Sequence, residues 1–161
     1  MTSRIIVDAS PLIILIKSDL AYLLPNLFDR VVVPNAVWQE VLAGDEGDVA
    51  RQELPNLAWA MRMPAAGEND AVESFDLGRG ESESITLALE FPNSRVLIDD
   101  AAARTCAKSL SVPFVGTGGL LILAKRKGLI GSFSEALNRV QSAGLWLSED
   151  IVDLLKKTAA E

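Results

Sequence analysis

Carboxylates stand directly after two short apolar segments of this sequence. Asp8 follows residues 4–7, and the adjacent pair Asp99 and Asp100 follows residues 95–98. Both segments are rich in Val and Ile, so each is predicted to form a buried strand. Carboxylates at the carboxyl ends of parallel strands lie at the sheet edge where α/β folds bind their ligands. Two strands that each bring an acid to this edge indicate a metal site.

Asp8 and Asp99 also have a simpler interpretation. Asp is a favoured N-cap residue, and a helical pattern follows both positions. An aspartate that only caps a helix needs no ligand. The residues alone therefore leave both roles open for each aspartate.

Two amino-acid counts restrict the chemistry. The chain has no histidine, which excludes Ser-His-Asp and Cys-His nucleophilic sites and histidine-ligated zinc. Its single cysteine, Cys106, excludes an internal disulfide and a cysteine-rich zinc site, and it is predicted to be a small buried residue on a helix. Any metal must therefore be held by oxygen, as Mg²⁺, Mn²⁺ and Ca²⁺ are.

Length, hydropathy and charge restrict the class of protein. A chain of 161 residues that is 49% hydrophobic is predicted to form one domain with a core of ordinary size. No apolar run is long enough to cross a membrane and no secretory leader pattern is present, so we expect a cytoplasmic protein with no membrane contact. The net charge of −7 opposes non-specific binding to nucleic acid. A cation-filled acidic site would neutralise part of that charge.

Strand patterns alternate with helix patterns along the whole chain. Further strands are predicted at residues 31–33, 59–63 and 112–115. We expect Ser10 to cap the first helix with Pro11 at its first position, and a second helix at residues 21–24 to end at Pro25. Later helices are predicted at residues 35–42, 81–89, 101–110, 120–127, 133–143 and 149–157. This order predicts an α/β fold with a central parallel sheet of four or five strands and helices on both faces.

Several polar residues on these elements have two interpretations each. Glu40 borders the apolar face formed by Val37 and Val41, so it either has a partner or lies in solvent. Glu81 and Glu83 start a helix, where acids are favoured by the helix dipole. The glycine-rich residues 116–119 are a weak signal for phosphate binding, since the lysine of a P-loop is absent. The basic residues 125–127 suit a helix C-terminus.

Four segments, taken in order, resemble PIN-domain nucleases, including VapC-like toxin ribonucleases. Residues 6–12 look like the opening strand with its first acid, and residues 33–41 are similar to the second element with its helical glutamate. Residues 80–85 resemble the start of the third acidic helix in a bacterial and archaeal subgroup. Asp99, Asp100 and Arg104, followed by residues 116–117 and a Leu-rich helix, match that subgroup's last segment. The resemblance covers residues 5–129.

The resemblance implies a fold and an activity. It implies a single PIN-like domain over residues 1–161, with a three-layer α/β/α core at about residues 4–130 and C-terminal helices at about residues 131–158. It implies an endoribonuclease that uses Mg²⁺ or Mn²⁺ and acts as a toxin in a type II toxin–antitoxin pair. The implied partners are RNA, an antitoxin protein and further copies of the chain in a homodimer or larger assembly.

The resemblance also assigns roles to residues. Asp8 and Asp99 would be the principal metal ligands, and Glu40 and Glu83 would complete the shell or orient water. Asp100 and Glu81 are neighbours that could replace the assigned member of each pair. Candidate contacts to phosphate or RNA are Ser10, Arg104, Lys108, Thr117, Lys125, Arg126 and Lys127.

Two other functions remain open from the sequence. One is a PIN-like fold that binds a partner without cleaving it. The other is a phospho-acceptor domain with Thr117 and Lys125 as phosphate contacts, although bacterial receivers carry their acidic pair after the first strand and this chain carries it late.

Overall fold

The computed structural model of the protein describes residues 3–161, so the first two positions of the predicted domain lie outside the described residues. Five parallel strands form one sheet: β1 (Arg4–Val7), β2 (Arg30–Pro34), β3 (Ala60–Met63), β4 (Ser94–Leu97) and β5 (Phe114–Val115). Their spatial order is β3-β2-β1-β4-β5. Ile6 of β1 lies opposite Val32 of β2 and Val96 of β4.

Alternate side chains of each strand enter two separate hydrophobic cores. Ile5 and Val7 of β1 pack in one core, and Ile6 between them packs in the other. The same alternation sends Val31 of β2 to the first core and Val32 to the second. Because successive strand residues point to opposite faces, both faces of the sheet are covered. The predicted three-layer α/β/α fold is confirmed.

Helices form the two outer layers. The first core is covered by α1 to α4 and α8 to α10, and the second by α5 to α7. Cys106 is buried on α7, as predicted. The ten α-helices of residues 3–161 are α1 (Ala9–Lys17), α2 (Leu23–Leu27), α3 (Asn35–Leu42), α4 (Val49–Glu53), α5 (Asp70–Glu73), α6 (Arg79–Glu90), α7 (Ala101–Ser109), α8 (Thr117–Arg126), α9 (Phe133–Ser142) and α10 (Glu149–Thr158).

Two predictions about proline at helix boundaries were wrong. Helix α1 begins at Ala9, so Asp8 and not Ser10 occupies the N-cap position, and Pro11 is the third helical residue. Helix α2 does not stop at Pro25 but includes it, again as the third residue. The first four N–H groups of a helix have no partner within it, so a proline there removes no hydrogen bond.

Helix α6 begins at Arg79, two residues before the predicted start at Glu81. Glu81 therefore lies in its first turn. Strand β5 is shorter than predicted, since only Phe114 and Val115 pair with β4. Across residues 3–161, none of the helices combines the length and the apolar character needed to cross a membrane.

Candidate active site

Strands β1 and β4 are neighbours in the sheet and end at the same edge. Val7 lies opposite Leu97, and the backbone N–H of Asp8 donates to the Leu97 carbonyl across 3.1 Å. The structure therefore places Asp8 and the Asp99–Asp100 pair side by side at the carboxyl edge of the sheet. This is the position where parallel α/β sheets bind ligands.

Asp8 is a buried carboxylate, only 5% exposed. It occupies the N-cap position of α1, but its side chain makes no capping hydrogen bond. Burial raises the pKa of Asp8 from 3.8 to about 7, against the opposing effect of the Ala9 N–H. The like charges of Glu81, Glu40 and Asp100 raise the pKa further. A buried acid with this environment is unfavourable for stability and typical of a functional site.

Glu81 shares the surroundings of Asp8. Its pKa is raised by burial first, and then by the charges of Asp100 and Glu40. Glu40 lies on α3 and is exposed, which agrees with the interpretation that it lies in solvent at the edge of the apolar stripe. We call Asp8, Glu40, Glu81 and Asp100 the acid cluster, because the charges of the other three all act on Asp8.

Gly80 allows α6 to approach the acid cluster closely. A Cβ at this position would lie 3.1 Å from Cγ2 of Val37 on α3 and 3.5 Å from Oδ1 of Asp8. A Cβ there would therefore crowd Val37 and come into ordinary van der Waals contact with Asp8. Gly80 therefore positions Glu81, the next residue, beside Asp8.

Asp99 makes hydrogen bonds to the start of α8. Its Oδ1 accepts from the Thr117 N–H at 2.8 Å, and its Oδ2 accepts from the Thr117 hydroxyl at 2.6 Å. Thr117 is fully buried. Asp100, in contrast, accepts from the Ala103 N–H at 2.9 Å and caps α7. Of the two adjacent aspartates, Asp100 is the one whose charge acts on Asp8.

Arg104 extends the contacts of Asp99 toward the surface. Its Nη2 lies 3.9 Å from Oδ1 of Asp99, and its Nε donates to the Ile98 carbonyl at 3.0 Å. Its side chain remains 40% exposed. Gly116 makes room for this guanidinium, since a Cβ there would lie 1.9 Å from Nη2 of Arg104. The space beside Gly116 in the glycine-rich stretch is therefore occupied by the side chain of Arg104.

Glu83 connects three segments of the chain. Its Oε1 accepts from the Ala36 N–H at the start of α3 at 2.7 Å, and its Oε2 accepts from the Ala65 N–H after β3 at 3.3 Å. Glu83 is absent from the charges that shift the pKa of Asp8. Its contacts hold α6 against α3.

The predicted RNA contacts divide into two groups. Ser10 is exposed in the first turn of α1, near Asp8, and Thr117 and Arg104 lie beside Asp99. Lys125 lies eight residues beyond Thr117, about 12 Å along α8. Its Nζ donates to the Gly131 carbonyl at 2.7 Å and pairs with Glu161 at 3.0 Å. The structure therefore does not bring Lys125 to the acid cluster, nor together with Thr117 as a phospho-acceptor site requires.

Lys108, Arg126 and Lys127 belong to helix ends as well. Lys108 lies in the last turn of α7, while Arg126 and Lys127 lie at the end of α8. Both helices begin at the acidic edge, so these cations lie at the opposite ends. Their positions match the alternative interpretation that they complement helix dipoles.

Glu81 and Gly80 are the residues near Asp8 that the sequence identified least well. Glu81 and Glu83 are two residues apart on a helix, so they point in nearly opposite directions and only one can face Asp8. The available signal was Gly80, since a glycine inside a helix is unfavourable unless a close approach requires it. The resemblance of residues 80–85 to the third acidic helix did not by itself decide which of the two glutamates faces Asp8.

The acid cluster supplies only oxygen ligands. Carboxylate oxygens are the donors that Mg²⁺ and Mn²⁺ prefer, and the mutual repulsion of the four acids is relieved when a cation neutralises them. Within residues 3–161 no three acids are close enough to form a ready-made metal cage. The ligand chemistry of the acid cluster therefore suits a divalent cation. Its carboxylates are farther apart than those of a preformed metal site.

Comparison with known proteins gives a family for the chain. No curated protein matches it. The family model DUF3368, a PIN domain, matches residues 4–161, which is almost the whole chain. PIN domains are generally nucleases and typically use divalent metals. The sheet order, the acidic edge and this match together lead to one conclusion: the chain belongs to the PIN-domain family.

Proposed function

We propose that this PIN domain is a Mg²⁺- or Mn²⁺-dependent endoribonuclease that hydrolyses RNA phosphodiesters at the acid cluster. The observation that supports this most directly is the buried carboxylate of Asp8, whose pKa is raised to about 7 among three like charges. Buried acids with strongly raised pKa values are found most often at functional sites. A cation supplies the missing counter-charge, and RNA hydrolysis is a reaction that such a cation assists.

Roles follow from the contacts of each residue. Asp8, Glu81, Asp100 and Glu40 would hold the cation, which when bound would polarise the phosphodiester and activate water. Asp99 and Glu83 act as positioning residues, because their oxygens already accept hydrogen bonds from α8 and α3 respectively. The exposed guanidinium of Arg104 and the hydroxyl of Ser10 are placed to bind phosphate oxygens.

The proposal is tested by incubating the purified protein with single-stranded RNA. We expect cleavage with added Mn²⁺ or Mg²⁺, loss of cleavage in EDTA, and recovery when excess Mn²⁺ is restored. Cleavage that continues in EDTA would exclude the metal-dependent mechanism. RNA binding without cleavage in any divalent metal would instead identify the chain as a non-cleaving binding module.

We extend the proposal to a toxin-like role in which an antitoxin protein restrains the ribonuclease. Its support is the resemblance of the acidic segments to PIN-domain toxin ribonucleases. Induced expression of the wild-type chain in bacteria is expected to stop growth, while Asp8→Asn produced at an equal level is not. Growth curves that coincide for the two chains would contradict the toxin role.

We also propose that two copies associate through α10. Ile151 and Leu154 lie on one side of this helix and are 44% and 58% exposed, and the preceding Trp146 is 82% exposed. Helix α10 is acidic in its first turn and basic in its last turn. In an antiparallel pair, Ile151 of one copy would contact Leu154 of the other, and opposite charges would flank this contact.

Light scattering at micromolar concentration tests this interface. We expect a dimer mass for the wild-type chain and a monomer mass for Leu154→Glu, since a buried unpaired carboxylate is unfavourable. The matched control is Val49→Glu, which places the same charge on an exposed valine of α4 and is expected to remain dimeric. A monomeric wild-type chain, or equal masses for both variants, would contradict the proposal.

A further inference from the structure

An open cavity of about 320 Å³ borders α6, the helix that also carries Glu81 of the acid cluster. Its wall includes Arg79, Ser82, Glu83 and Thr86 from α6. It also includes Ala65 and Leu77 from the segment between β3 and α6. Ser82 is the residue after Glu81, so the cavity and the acid cluster share one helix. The volume is within the range of small-molecule sites.

Two hydroxyls in this wall have no hydrogen-bond partner. Ser82 and Thr86 are 8% and 4% exposed, and within residues 3–161 neither side-chain oxygen makes a hydrogen bond. Within residues 3–161, the only unpaired side-chain nitrogen or oxygen that is fully enclosed is Nε of Arg4. The side-chain oxygens of Ser82 and Thr86 therefore each keep some exposure to solvent. Both hydroxyls therefore open onto the cavity.

The hydroxyls of Ser84 on α6 and Thr105 on α7 behave differently. Ser84 donates to the Gly80 carbonyl at 2.7 Å, and Thr105 donates to the Ala101 carbonyl at 3.0 Å. This bond to the preceding turn is the usual arrangement for Ser and Thr inside a helix. Ser82 and Thr86 are one turn apart on the same face and remain available to a ligand.

The charges of the cavity wall make phosphate binding unfavourable. Glu68 and Glu73 line the cavity together with Glu83, and Arg79 is the single cation among its lining residues. Acids repel anions and accept hydrogen bonds from N–H groups. Leu77 and Ala65 add an apolar surface. A neutral ring with N–H donors matches the chemistry of this wall.

We propose that this cavity binds a nucleobase of the RNA strand next to the bond that is cut, and that it prefers a base with an exocyclic amino group. The inference rests on the proposed ribonuclease function. Carboxylates accept hydrogen bonds from base amino groups, as they do from cytosine N4. Uracil presents carbonyl oxygens at the corresponding edge, and these would face the acids.

Binding can be measured without any cleavage. The full chain in EDTA is titrated with cytidine or uridine, and saturation-transfer NMR reports the bound nucleoside. We expect cytidine to bind more tightly than uridine, and Thr86→Val or Ser82→Ala to weaken cytidine binding about tenfold. Ser84→Ala is the matched control, because the Ser84 hydroxyl is bonded to Gly80. Equal binding of both nucleosides, or no effect of either cavity variant, would overturn the proposal.

A cleavage assay then separates this inference from the proposed function. With Mn²⁺, the wild-type chain is expected to cut RNA faster beside cytidine than beside uridine, and Thr86→Val is expected to reduce that ratio. Cleavage with no base preference would overturn the base site and leave the ribonuclease in place. Selective cytidine binding in a chain that cuts no RNA would overturn the ribonuclease and support a base-binding site.

Discussion

Asp8→Asn is expected to lower the rate of Mn²⁺-dependent RNA cleavage about a thousandfold, because a charged ligand of the catalytic cation is lost while the shape of the side chain is kept. The charges of Glu81, Glu40 and Asp100 all act on the pKa of Asp8. The measurement is the initial rate on a fluorescent single-stranded RNA at saturating Mn²⁺.

The matched control for this rate measurement is Asp45→Asn, which makes the same change in the exposed loop after α3. Its rate is expected to equal the wild-type rate. If Asp8 served only as a helix cap, Asn would replace it almost equally well, and both rates would be unchanged. A rate for Asp8→Asn within a factor of about ten of wild type would therefore count against a metal-ligand role.

The fold and its acidic edge could be predicted from local sequence signals. Short Val- and Ile-rich segments alternate with helical patterns, and each property depends on neighbouring residues only. Once the sheet is parallel, Asp8 and Asp99 must end at the same edge. The misplaced start of α1 and the misplaced end of α2 came from proline, whose effect depends on its exact turn within a helix and not on its presence.

The hydrogen-bond partners of the two acid pairs could not be predicted from the sequence. Asp99 is bonded to Thr117, which is 18 residues away, and Glu83 is bonded to Ala36, which is 47 residues away. These partners come together only when the whole domain packs. The open hydroxyls of Ser82 and Thr86 were not predicted for the same reason, since their availability depends on the segment that faces them.

Asp8→Asn is also expected to change how stability depends on pH. In the metal-free wild-type chain, the folded pKa of Asp8 is about 7 and the value without burial is 3.8. The folded state therefore binds this proton more tightly, and the free energy of unfolding falls as pH rises from about 4 to about 7. Asn does not titrate, so the variant lacks this loss.

The size of the pH effect follows from the shift. Each pKa unit corresponds to about 1.4 kcal/mol, so ionised Asp8 disfavours the fold by about 4 kcal/mol at full effect. Urea unfolding in EDTA should show Asp8→Asn gaining about 3 kcal/mol over wild type between pH 5 and pH 8. A difference between the two chains that stays constant over this range would contradict the buried-charge account of Asp8.

Adding metal is expected to stabilise the wild-type chain more than Asp8→Asn. At pH 8 a cation that binds ionised Asp8 stabilises only the folded state, so saturating Mn²⁺ is expected to raise the melting temperature of the wild-type chain. Asp8→Asn lacks the charge and is expected to gain little. The variant that is more stable in EDTA thus becomes the one that metal helps least. Equal stabilisation of both chains by Mn²⁺ would place the cation somewhere other than the acid cluster.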